Sequence, residues 1–143
     1  RPNLYLSEYF NRNKQTYVDR MGRVRATGAW EPWLSFFIDG VRYQAQESVE
    51  RTLELDDLRR EYQEIYGGVS YTANQLACSL FEQPYVTARS VAERFDVQRA
   101  TAYRAIESLQ EDGLLEEVTG KERNREYRAK EIFEILERPP RTY

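Results

Sequence analysis

The stretch VTARSVAERFDVQRATAYRAIESLQEDGLLEEV, Val86 to Val118, constrains the fold more than any other part of the chain. Thr87 is a helix cap, and the helix it opens sets Ala88, Val91, Ala92 and Phe95 on one side at three- and four-residue spacing. After the turn Asp96, Val97, Gln98, a further helix buries Ala102, Ile106 and Leu109. It stops at Gly113, where positive φ costs glycine nothing, and Val97 plugs the turn between the two helices. Upstream, Ala73, Leu76, Ala77 and Leu80 mark a short amphipathic helix ended by Pro84, and Tyr85 and Val86 suit a brief strand. Downstream, LLEEV, the polar turn TGKERN and REYRA alternate loosely, as a two-stranded hairpin does, before a short helix through Ile132, Phe133 and Leu136. Three helices followed by such a hairpin predict a winged helix-turn-helix.

Ahead of this module the periodicity is helical and long. Ser7 caps a helix carrying Phe10, Tyr17, Met21 and Val24, with Gly28 as its stop. Glu31 and Pro32 then suit the first turn of a second helix, where proline loses no needed hydrogen bond and an acid meets the positive end of the dipole. From Trp30 an apolar stripe runs through Leu34, Phe37, Val41, Ala45, Val49, Leu53, Leu58, Tyr62 and Ile65, a rod of roughly 50 Å at about 1.5 Å per residue. Glu47 with Arg51 and Asp56 with Arg60 are acid-before-base pairs four apart that support it in water. The adjacent Gly67 and Gly68 break the pattern and mark a linker. The chain therefore reads as mainly α: residues 1–66 form a helical bundle segment, 67–70 a linker, 71–137 the winged module of three helices plus a small β-hairpin, and 138–143 a tail.

Composition narrows the chemistry. The 143 residues contain no histidine, so neither a catalytic triad nor a histidine-ligated metal site can be assembled from them. The carboxylates lie on charged helical faces, where they are solvated or salt-bridged. The single cysteine, Cys78, sits at core spacing in QLACSLF and excludes an intramolecular disulfide. No apolar run approaches the ~20 residues that span a bilayer, and the chain opens on no secretion signal, which reads as cytoplasmic with no membrane partner.

A recognition helix presents its donors opposite its buried face. Here that face carries Ala100, Arg104, Glu107 and Glu111, flanked by Thr101, Tyr103 and Ser108, with Gln98 and Arg99 at the N-terminal end. The wing turn adds Lys121, Arg123, Asn124 and Arg125, which suit phosphate or minor-groove contacts. Residues 97–106 hold Arg99 and Arg104 without an acid, whereas residues 74–143 as a whole hold 11 lysines and arginines against 13 acids. A free-standing DNA reader usually has a basic surplus. Pairing of Arg104 with Glu107 or Glu111 on a solvated face is the competing reading of the same residues, and a protein-contact module is the competing function.

Two segments carry a resemblance. LYLSEYFNRNKQTYVDRMGRVRATGAWEPWLSFFIDGV resembles the segment after the catalytic motif of Fic-family proteins. LFEQPYVTARSVAERFDVQRATAYRAIESLQEDGLLEEVTGKERNREYRAKEIFEIL resembles the winged module that many members carry behind it. LYLSEYF and WEPWLSFF are the most specific pieces. The resemblance implies a parent that transfers AMP from ATP, with Mg2+, to a protein hydroxyl through a motif of the type H-P-F-x-D-G-N-G-R. Neither that histidine nor the glycine-rich loop is present, and the first residue is arginine, so the expectation is a piece beginning just after the motif. It carries no catalytic residue and no cofactor of its own. Gln98 departs from the serine that usually caps the recognition helix of such modules. The partners expected are double-stranded DNA, the catalytic half of the parent, and a second copy in a homodimer. A small transcription regulator unrelated to Fic enzymes is the remaining alternative.

Overall fold

The computed structural model describes residues 6–68, 70–120 and 124–139, and they contain seven α-helices and one three-stranded sheet. They divide into two compact units, one running to Thr52 and the other comprising Leu53–Pro139. The sequence puts its break at Gly67 and Gly68. The units instead separate inside a helix, so the residues just before the glycines belong with the second unit.

In the first unit, α1 (Leu6–Arg12) and α2 (Lys14–Thr27) replace the single helix expected from Ser7 to Gly28. The interruption is at Asn13, whose φ of −104° and ψ of 34° leave the helical basin while its side-chain amide donates to the Tyr9 carbonyl. A short side chain that bonds its own backbone competes with the helix ladder in this way. Gly28 ends α2 with φ of 68°, as expected. The third helix, α3 (Trp30–Tyr66), begins on the predicted turn.

The unit is held by aromatic rings. Phe10 meets Tyr17, Trp33, Phe36 and Phe37 with centroids 5.3–6.1 Å apart, and Tyr9 meets Phe36 at 5.3 Å and Tyr43 at 5.8 Å. Gly40 makes this approach possible, since a methyl there would lie 2.6 Å from the Tyr9 ring.

The face of α3 that packs is not the predicted stripe. Trp30, Leu34, Phe37, Val49, Leu53 and Ile65 remain between 36% and 59% exposed, while Phe36, Gly40, Gln44, Glu47, Leu58, Tyr62 and Tyr66 are buried. Leu58 and Tyr62 are the stripe positions that the core takes up. The helix has two apolar edges about a third of a turn apart, and periodicity cannot say which edge meets a neighbour. Glu47, expected to lie in water, is 3% exposed beside Arg51 at 3.3 Å.

In the second unit the end of α3 joins α4 (Tyr71–Ser79), β1 (Tyr85–Thr87), α5 (Ala88–Phe95), α6 (Arg99–Glu111), β2 (Leu115–Glu117), β3 (Glu126–Ala129) and α7 (Lys130–Glu137). The core collects Leu58, Tyr62, Tyr66, Leu76, Leu80, Val91, Ile106, Leu109 and Ile132, with Ala92, Phe95 and Val97 packed against it. The hairpin gains a third strand. The sheet order is β1-β3-β2, both pairings antiparallel, so Tyr127 at its centre faces Val86 on one side and Glu117 on the other. Alternation along β3 buries Tyr127 and Ala129 and turns Arg128 outward to Glu116, its cross-strand neighbour. In α7 Ile132 is buried and Phe133 half-buried, but Leu136, read as an inward position, is 42% exposed. Cys78 is likewise half-buried rather than fully in the core. No helix among the described residues is long and apolar enough to cross a membrane.

Candidate nucleic-acid interface

Two adjoining helix ends set the geometry of the turn. Thr87 and Ser90 form a reciprocal capping box: the Thr87 hydroxyl accepts from the Ser90 amide at 3.0 Å, and the Ser90 hydroxyl accepts from the Thr87 amide at 2.9 Å. At the other end Asp96 adopts φ of 51° and its amide donates to Ala92, followed by the Val97 amide to the same carbonyl at 3.1 Å. A left-handed aspartate is a rare but accessible cap, and it turns the chain sharply enough for Val97 to pack inward and α6 to start at Arg99. Gln98 stands at the α6 N-cap with extended backbone and no side-chain capping bond, which matches its expected weakness there.

The inward face of α6 is Ala102, Ala105, Ile106 and Leu109, the predicted set plus Ala105. Opposite it, Gln98, Arg99, Ala100, Tyr103, Arg104, Glu107, Gln110 and Glu111 are exposed, and Thr101 is half-buried at the edge. The structure therefore brings Gln98, Arg99, Thr101, Tyr103 and Arg104 together on the N-terminal half of one helix. Of the wing residues, Lys121 and Arg123 lie outside the described residues. Asn124 is exposed at φ of 54°, and Arg125 is exposed with Glu117 at 3.8 Å.

Charge pairing separates α6 from its surroundings. Arg89 pairs with Glu93 and Arg94 with Glu82, each at 2.8 Å, while Arg128 pairs with Glu116 and Arg138 with Glu54. The Glu116 hydrogen bond raises the pKa of Arg128 further. Arg99 and Arg104 have no ion-pair partner among the described residues, so the pairing of Arg104 with Glu107 or Glu111 considered from the sequence is not formed. Two guanidinium groups held in water on an exposed helix face keep all their donors available for phosphate or base edges.

Sequence reasoning missed the support behind this helix. The Tyr66 hydroxyl donates to Asp112, the C-cap of α6, at 2.6 Å, and the Tyr62 hydroxyl donates to Glu131 of α7 at 3.5 Å. Burial, then the neighbouring carboxylates, pushes both phenols well above the ordinary tyrosine range. The spacing Leu58, Tyr62, Tyr66 is the available signal, with Tyr66 directly before Gly67 in the chain. No group of three or more acids or cysteines among the described residues is gathered so as to hold a metal.

Residues 78–140, less than half of the chain, match the family model described as sugar-specific transcriptional regulator TrmB. The matched stretch takes in β1, α5, α6, the rest of the sheet and α7. Fold and match agree on a winged helix-turn-helix.

Proposed function

We propose that this winged module binds double-stranded DNA through the N-terminal half of α6, with the wing gripping the backbone, and that the chain serves regulation rather than catalysis. The observation that carries this is the unpaired state of Arg99 and Arg104 in a unit where Arg89, Arg94 and Arg128 are each paired with an acid. Gln98, Thr101, Tyr103, Lys121, Arg123, Asn124 and Arg125 complete the contact set. The likeness of residues 78–140 to a transcriptional regulator supports it. The test is fluorescence anisotropy of labelled random and own-promoter duplexes at low and near-physiological salt. The expected result is promoter binding that exceeds random binding and weakens at least tenfold in R99A/R104A. Binding unchanged in that variant removes α6 from the interface.

For the first unit we infer the helices that follow the catalytic motif of a Fic-type AMP-transferase. Its support is that LYLSEYF and WEPWLSFF, the specific pieces of the resemblance, supply Tyr9, Phe10, Trp33, Phe36 and Phe37 of the aromatic cluster. ATP and Mg2+ would then belong to the parent's catalytic half, which would be a partner of this chain. Coding sequence ahead of Arg1 that lacks the histidine and glycine-rich motif ends this reading.

A protein-contact role is favoured by one observation, the exposed apolar edge of α3 at Leu34, Ile38 and Val49. A second copy or the parent's catalytic half would cover it. Sedimentation of a dilute sample separates the two, since a strict monomer excludes the homodimer.

A further inference from the structure

The exposed face of α6 changes sign halfway along. Gln98, Arg99, Ala100, Tyr103 and Arg104 carry no acid, and Glu107 and Glu111 follow one and two turns later. Arg104 and Glu107 are three residues apart on the same face, a spacing at which opposite charges commonly meet. On α5 Arg89 and Glu93, four residues apart, meet at 2.8 Å. On α6 neither Arg104 nor Glu107 has an ion-pair or hydrogen-bond partner among the described residues, and both are exposed. A carboxylate on a helix that approaches DNA is repelled by phosphate everywhere except at the groove floor. There the exocyclic amino group of cytosine offers it a donor, and an adjacent arginine finds the two acceptors of guanine. Three residues of α-helix advance about 4.5 Å, close to one base-pair step, so the two side chains address neighbouring pairs. Ala100, one turn earlier, has a side chain small enough for the helix to sit close.

We propose that Arg104 and Glu107 are a specificity-determining pair that reads two adjacent base pairs in the major groove, Arg104 taking guanine O6 and N7 and Glu107 accepting from cytosine N4. This rests on the DNA-reading assignment and names what is read. Glu107 lowers affinity for every duplex that lacks the cytosine, so it discriminates chiefly by rejection.

The test is selection from a randomised duplex library with the full chain, followed by affinities for single-position variants of the selected site. The wild type is expected to select a guanine adjacent to a cytosine. E107Q should move the preferred base at the cytosine position to adenine, with about a tenfold change in relative affinity and the guanine preference intact, because glutamine matches the adenine edge. R104A should lose the guanine preference and keep the cytosine. An E107Q variant that binds all duplexes more tightly without a change in preference overturns the proposal while leaving DNA reading in place. A wild type that binds no duplex overturns both. Glu107 is exposed, and circular dichroism checks that each variant keeps its fold.

Discussion

The Tyr66 hydroxyl ties the end of α3 to the end of α6 within the second unit. Its ring fills the core at 1% exposure, and its oxygen reaches the C-cap of α6 at Asp112. Removing the hydroxyl by Tyr66→Phe keeps the ring and deletes one hydrogen bond to a charged group. Asp112 is exposed and regains water, so the cost should fall at the low end for such bonds, about 1–1.5 kcal/mol by urea denaturation. The same residue predicts an alkaline response. Tyr62 and Tyr66 have pKa values raised above the unfolded value of about 10, so the native state favours their neutral forms. Below that pH the two tyrosines are protonated in both states and add no pH dependence. Above it the unfolded chain ionises first and stability falls. The melting temperature should therefore drop as pH rises beyond about 10, and Y62F/Y66F should flatten that drop.

At the scale of the element, what was legible is what depends on neighbours in sequence. The α5 cap, the Gly28 and Gly113 left-handed turns, the inward residues of α6 and the two strands that flank the wing turn all follow from local backbone chemistry, and the described residues have each of them. Gln98 at the N-cap of α6 makes no side-chain capping bond, which gives a direct check. Serine there can accept from the Ala100 or Thr101 amide, so Gln98→Ser should stabilise the unit by about 0.5–1 kcal/mol in urea. The packing face of α3 was not legible, because it depends on which rings arrive from α1 and α2. Gly40 shows the difference. As an isolated helical residue it invites replacement, since alanine gains up to about 1 kcal/mol in helix propensity. Against the Tyr9 ring at 2.6 Å the added methyl must displace an aromatic already packed on Phe36 and Tyr43. Gly40→Ala should therefore be net destabilising by about 1–2 kcal/mol, with the near-ultraviolet dichroism of the aromatic cluster reporting it. An unchanged or higher melting temperature would mean that the ring moves freely.

For the whole molecule the governing quantity is charge, and the formal net value of −3 argues against tight, indiscriminate binding to nucleic acid. The sequence showed the overall balance and the local surplus near Arg99 and Arg104, but it could not show which cations are already spent. Ion-pair geometry decides that, and Arg89, Arg94, Arg128 and Arg138 drop out because acids hold them. If the proposed interface forms, its phosphate contacts come from Arg99, Arg104 and the basic wing residues Lys121, Arg123 and Arg125. Arg104 has its donors on a base when the site is correct, and Arg125 faces Glu117, so about three full phosphate neutralisations remain. Each contributes about −0.9 to the slope of log Kobs against log salt on duplex DNA. The expected slope for one bound chain is therefore near −3, and R99A should reduce its magnitude by about one. A measured slope of about −6 or steeper would require cations this surface does not hold free, either from a second chain on the same duplex or from arginines that leave their carboxylates on binding. Repeating the titration with R89A and R94A separates these cases, because only released arginines would change the slope when removed.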